Sequence, residues 1–204
     1  MRDSRPFGVI LAGGQARRMG GGDKGLLMLG GQSLLRHVIA GLSPQVQRIA
    51  INANGDPARF SGFGLPVLPD PVPGFPGPLA GVLAAMDWAA SQGADAVVTV
   101  AADTPFFPAD LVDRLLAARD GAGPSLAATG TAPDWHPTFG LWPTALRHRL
   151  RSDLLAGQRK VITWALQNGA AAAVFDAEAN PFFNINTADD LAAAERLHRS
   201  RRDL

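Results

Sequence analysis

Short apolar runs alternate along this chain with stretches whose apolar residues recur every three or four positions. Residues 7–12 form a continuous apolar run that ends in glycine, the pattern of a strand buried on both faces. Residues 46–52, 65–68, 95–102 and 171–175 read as further strands, and 95–102 is the clearest of them. Between the strands the spacing becomes helical. Leu34, Leu35, Val38, Ile39 and Leu42 share one face behind Ser33, a good N-cap, and Pro44 ends the run. Leu79, Val82, Leu83 and Met86 make a second stripe, with Pro78 in its first turn. Leu111, Leu115 and Leu116 are predicted to face inward from a third helix. Residues 143–155 carry Leu146, Leu150 and Leu154 on one face, and a short helix is predicted over 161–167. Thr187 and Asp190 resemble a capping box for a last helix over 188–198. Residues 126–129 and 139–142 read as two short strands separated by a proline-bounded turn, and 181–187 as the segment that closes the sheet.

The repeated strand–helix order predicts an α/β fold, a single Rossmann-like domain over 1–204 with helices on both faces of a mostly parallel, mixed sheet. The strand around Val9 is expected at the centre. The segment from about 125 to 142 has no long crossover, so antiparallel strands are expected there. Residues 1–5 and 200–204 read as frayed ends.

Composition narrows the function classes. The chain has 204 residues, 47% of them hydrophobic and 18% charged, enough apolar material for a sizeable core. The net charge of +1 gives no global attraction to nucleic acid or to an anionic membrane, so neither is expected as a partner. There is no cysteine, which excludes disulfides, thiolate nucleophiles and Cys-ligated zinc and suits a cytoplasmic protein. No stretch approaches the ~20 apolar residues needed to span a bilayer.

The candidate chemistry begins where the first strand ends. Gly13 and Gly14 follow it directly, then Arg17, Arg18, the cluster Gly20 to Gly22, Asp23 and Lys24. Glycines let backbone N–H groups close on an anion, and arginine and lysine add charge-assisted hydrogen bonds, so the stretch is a candidate phosphate site. The Walker pattern and the G-x-G-x-x-G fingerprint are both absent, and the plain alternative is a solvated basic turn. Asn52 and Asn54 lie at the exit of the second strand, where α/β folds bind ligands. Asn52 suits either a contact to base or ribose or a bond within its own turn. Asp103 leaves the 95–102 strand as Asp103-Thr104-Pro105, placed to ligate a metal ion or to cap a turn. Taken with the glycine loop, the metal reading is favoured. His136 lacks the partners of a hydrolase triad, and no G-x-S-x-G elbow occurs.

Four segments carry a family resemblance. LAGGQARRMGGGDKGL over 11–26 closely resembles the signature of the molybdenum cofactor guanylyltransferases, and GPLAG at 77–81, HPTFGLW at 136–142 and NINTADD at 184–190 extend the similarity over nearly the whole chain. The resemblance implies a nucleotide site of Leu11, Ala12, Gly13, Gly14, Lys24, Asn52, Asp70, Gly77 and Asp103. It implies Arg18, Lys24 and Asp103 as the catalytic set, Asp103 as ligand to Mg²⁺, and His136, Asn184 and Asn186 on the acceptor side. The implied donor is GTP and the implied acceptor molybdopterin or Mo-molybdopterin. Transient contacts with molybdenum insertion proteins and molybdoenzyme chaperones follow from the same resemblance.

Two other classes remain open at this level. One is a related nucleotidyltransferase that uses CTP, or a sugar-phosphate acceptor. The other is a non-catalytic GTP-binding adaptor that delivers cofactor.

Overall fold

The computed structural model describes residues 5–13, 23–72, 74, 77–178 and 180–202. Strands β1 (Phe7–Leu11), β4 (Ile49–Asn52), β5 (Val67–Leu68), β6 (Ala96–Ala101), β7 (Ser125–Thr129), β8 (Asp134–Pro143) and β9 (Ala171–Phe175) form one sheet in the order β5-β4-β1-β6-β8-β7-β9. Every neighbouring pair is parallel except those made by β8, which runs against both β6 and β7. The expected antiparallel element is therefore this one strand. The centre of the seven is β6, with β1 next to it.

Helices α1 (Leu34–Leu42) and α3 (Leu111–Ala118) pack on one face, where Leu35, Val38, Leu42, Leu111 and Leu115 meet Ile10, Val98 and Val100. Helices α2 (Pro78–Ser91), α4 (Arg147–Leu155) and α5 (Val161–Gln167) cover the other, with Leu79, Leu83, Met86, Leu150 and Trp164 against Val9, Val97 and Trp142. Each fully buried side chain of this size contributes about 1.5–3 kcal/mol, so the two-sided burial of β1 and β6 fixes their register firmly. Ser33 caps α1 by accepting from the Arg36 N–H at 3.3 Å.

A small hairpin, β2 (Met28–Leu29) with β3 (Gln32–Ser33), turns through Gly30 and Gly31, whose φ angles are +56° and +83°. Positive φ at both turn residues is the tight-hairpin geometry that glycine permits. The last helix, α6 (Ala188–Arg202), docks here. Leu29, Leu34, Phe106, Ile185 and Ala194 bury one another, and the Gly30 N–H donates to Glu195 Oε1 at 2.9 Å.

Several expectations are corrected. The second strand begins at Ile49 because Ser43–Gln45 winds as a 3-10 turn. The proline-bounded turn at 133–137 is largely strand: β8 starts at Asp134, and its register against β7 shifts between Leu126 and Ala127. Leu126 faces Gly140 and Ala127 faces His136, so Pro137 stands in the bulge, where its missing N–H costs no ladder bond. Residues 181–187 add no strand to the sheet; they form a loop whose Ile185 N–H donates to the Asp103 carbonyl at 2.9 Å. Residues 144–146 are a 3-10 turn before α4, and Leu116 points outward, 38% exposed. Arg151 pairs with Asp87 at 2.6 Å and ties α4 to α2. Among the described residues no helix is long and apolar enough to cross a membrane.

Candidate active site

Sheet register brings three strand ends level. Leu11 of β1 pairs with Asn52 of β4 on one side and Ala101 of β6 on the other. The ladder continues past the strands, with the Ala12 N–H donating to the Asn52 carbonyl at 2.8 Å and the Ala102 N–H to the Leu11 carbonyl at 3.1 Å. Leu11, Ala12 and Gly13 thus lie between the exits of β4 and β6, the place where open α/β sheets bind ligands. A Cβ on Gly13 would meet nothing within 4 Å among the described residues. Gly14 and Arg18, both expected in the site, lie outside the described residues.

On the β6 side three separate parts of the chain converge. Lys24 opens a 3-10 turn, Lys24–Leu26, and its Nζ lies 3.2 Å from Asp103 Oδ2. The same ammonium donates to Asn186 Oδ1. Both charged side chains are mostly shielded, at 18% and 14% exposure, which strengthens the attraction between them. Thr104 Oγ1 stands 3.4 Å from Asp103 Oδ1.

Asn186 is held by the start of α6. Asp190 accepts from the N–H groups of Asn186 at 2.9 Å and Thr187 at 2.8 Å, while its own N–H donates to Thr187 Oγ1 at 3.1 Å. This is the reciprocal capping box. The Asn186 N–H above all, then Thr187, with the nearby Lys24 charge, lowers the Asp190 carboxyl below its ordinary 3.8. A depressed carboxylate contributes stability that is present above its unfolded value and lost as pH falls through its folded value. We therefore expect Asp190→Asn to be less stable than wild type near neutral pH, with the gap closing as pH falls below about 3.8, as thermal melts at stepped pH would show. A gap independent of pH would contradict this role.

The β4 side holds a polar network. Asn52 is buried and spends both amide hydrogens, on the Leu68 carbonyl and on Asp70 Oδ1, each at 3.0 Å. Asn54 donates to Asp70 Oδ2 at 2.7 Å and accepts from the Asp70 N–H at 2.8 Å. Asn52 thus grips Asp70, and its remaining oxygen faces α2 at Gly81. A Cβ on Gly81 would stand inside contact distance of Asn52 Oδ1 and 2.9 Å from Leu11 Cδ2. Gly81→Ala should therefore overpack this corner and destabilise the protein by about 1–3 kcal/mol, measured by denaturant unfolding; unchanged stability would disprove the close approach. Gly77, at φ +143°, precedes α2 in a conformation open to glycine.

The expected acceptor residues divide. Asn184 is exposed on the 181–187 loop, two positions before Asn186. His136 sits on β8 with its ring 4.2 Å from Phe182 and Nε2 3.1 Å from Thr129 Oγ1. Burial lowers its pKa from the ordinary histidine value, only partly offset by Asp134. It touches the 181–187 loop through Phe182. No group of three or more His, Asp or Glu residues gathers as a metal cage among the described residues.

A family model described as "MobA-like NTP transferase domain" matches residues 8–176. A molybdenum cofactor guanylyltransferase of Mesorhizobium japonicum is 52% identical over 200 residues, 95% of this chain and 96% of its own. One from Cereibacter sphaeroides is 53% identical, covering 96% and 98%. This chain belongs to the molybdenum cofactor guanylyltransferase family. The fold of this guanylyltransferase-family member is also that of molybdopterin-guanine dinucleotide biosynthesis protein A from Archaeoglobus fulgidus, with a TM-score of 0.70 at 23% identity over 95% of this chain and 99% of that one. The family member is an enzyme with a nucleotidyltransferase domain, as the match over β1 to β9 requires. Next to Lys24, Asp23 pairs with Arg59 at 2.8 Å, a contact that the sequence does not signal. No local pattern announces a partner 36 positions away. Asn54 was legible only as a neighbour of Asn52.

Proposed function

We propose that the protein transfers GMP from GTP to the terminal phosphate of molybdopterin, giving molybdopterin guanine dinucleotide and pyrophosphate. The observation that carries this reading is the convergence of Lys24, Asp103 and Asn186 beside the Leu11–Gly13 turn. A cation, a carboxylate and a glycine backbone at strand exits suit a polyphosphate and its counter-ion.

In the proposed reaction an oxygen of the acceptor phosphate forms a bond to the α-phosphorus of GTP, and the bond to the bridging oxygen of the β-phosphate breaks. The electron pair leaves with pyrophosphate. The second pKa of a phosphate monoester is near ~6, so the acceptor is already largely anionic at neutral pH and needs no general base. That agrees with a His136 ring already engaged by Thr129 and packed against Phe182. Lys24 neutralises charge on the triphosphate, Asn186 orients the Lys24 ammonium, and Asp190 holds Asn186 in place. Asn52 and Asn54 fix Asp70 at the nucleoside side.

Asp103 is the residue that would hold a divalent cation, Mg²⁺ in this proposal. One hard carboxylate, with no all-protein cage among the described residues, fits an ion whose other ligands are water and substrate phosphates. Bound there, such an ion supplies Lewis-acid polarisation of the reacting phosphate. The same reading extends to a cytoplasmic enzyme that meets molybdenum insertion proteins and molybdoenzyme chaperones transiently.

The test follows pyrophosphate from GTP with and without purified molybdopterin, alongside CTP and ATP. Acceptor-dependent release from GTP is expected. Preference for CTP would make the chain a cytidylyltransferase, and tight GTP binding without turnover would make it an adaptor.

A further inference from the structure

Asp23 stands at the position before the Lys24–Leu26 turn, where an aspartate ordinarily caps its own backbone, but its side chain makes no capping bond. It turns instead to Arg59, whose Nε lies 2.8 Å from Asp23 Oδ2. The guanidinium is held from several sides. Its Nη2 donates to the Asn54 carbonyl at 2.8 Å, and its plane lies 5.0 Å from the Phe60 ring centroid. A Cβ on Gly55 would stand 3.0 Å from Nη1, so the group lies against bare backbone. Arg59 itself is placed by a 3-10 segment, Pro57–Phe63, which Asp56 caps through the Ala58 N–H at 2.9 Å and Gly64 ends at φ +67°.

The result is a bridge between the β6 side and the β4 side of the strand exits. On one side Asp23 is bonded in sequence to Lys24. On the other, Asn54 is locked to Asp70 and, through it, to Asn52. We propose that Arg59 is a positioning residue: its ion pair with Asp23 sets Lys24 at a fixed reach from the Asn54–Asp70 rim, so that the phosphate and nucleoside ends of the nucleotide are held in one geometry. The inference rests on the GTP site of the preceding section. Both pairing groups are substantially shielded, at 32% and 16% exposure, and the fork geometry of arginine is needed to serve Asp23 and Asn54 together.

The experiment compares wild type, Arg59→Gln, Asp23→Asn and the double variant for binding of an α,β-methylene GTP analogue and for KM against kcat in guanylyl transfer. Each single variant should weaken analogue binding on the order of tenfold, with KM for GTP rising more than kcat falls. The double variant should be no worse than either single, because both remove the same bridge. Wild-type affinity in Arg59→Gln, or losses that multiply in the double variant, would overturn the proposal. If Arg59→Gln loses its cooperative thermal transition, Arg59→Lys decides: it keeps the charge against Asp23 but not the fork to Asn54. A loss of about threefold supports the bridge and none refutes it. A wild-type protein that binds the analogue but transfers nothing would refute the transfer reaction alone, and the binding comparison would still decide the role of Arg59.

Discussion

Asp103→Asn should lower acceptor-dependent pyrophosphate release by about 10³-fold or more. Lewis-acid stabilisation by a bound divalent ion is worth several kcal/mol, and each ~1.4 kcal/mol is tenfold in rate. The substitution is nearly isosteric. It keeps an oxygen that can accept from Lys24 Nζ, and it leaves the Asp103 carbonyl free to accept from the Ile185 N–H. What it removes is the negative charge that a hard cation requires. Asp103→Ala should be at least as damaging, since it also removes the acceptor facing Lys24. Both rates are to be measured at saturating GTP and Mg²⁺, on protein whose thermal transition is still cooperative. A loss of less than tenfold in both variants would mean that Asp103 does not hold the ion, and the site would have to be redrawn.

Lys24→Ala should reduce kcat/KM for GTP by about 10²–10³-fold, the usual cost of losing one preorganised charge aimed at the group that gains charge in the transition state. Lys24→Arg should recover little of this. A guanidinium is planar and larger than an ammonium, and the space between Asp103 and Asn186 is set for one compact donor. The two losses should not multiply in a Lys24→Ala, Asp103→Asn double variant, because the side chains touch and, in the proposed reaction, serve the same triphosphate. Steady-state kinetics with GTP varied at fixed acceptor decides this. Wild-type kcat/KM in Lys24→Ala would remove the phosphate role from the loop.

The chain itself determined the layering and the chemistry on offer. The short, mainly apolar runs at β1 and β6, bounded by turn residues, match strands buried on both faces, and the three-to-four spacing of Leu35, Val38 and Leu42 matches a helix face turned to a core. Lys24, Asp103 and Asn186 were legible as residue types at element ends, because glycine, proline and capping residues mark those ends locally. Tertiary structure decided which of them meet. Lys24 and Asp103 are 79 positions apart and Asn186 is 162 from Lys24, and no local rule carries that far. The Leu11–Ala101 register and the docking of α6 on the β2–β3 hairpin bring them together. The same holds for Asn52, whose place at a strand exit was readable but whose amide is turned toward Asp70 by packing over Gly81. It holds for Arg59, which reads as an ordinary surface arginine until the fold sets it against Asp23. Local spacing specifies elements because backbone and side-chain geometry repeat over a few residues; distant partners are selected by the burial of whole faces, a property no short window contains.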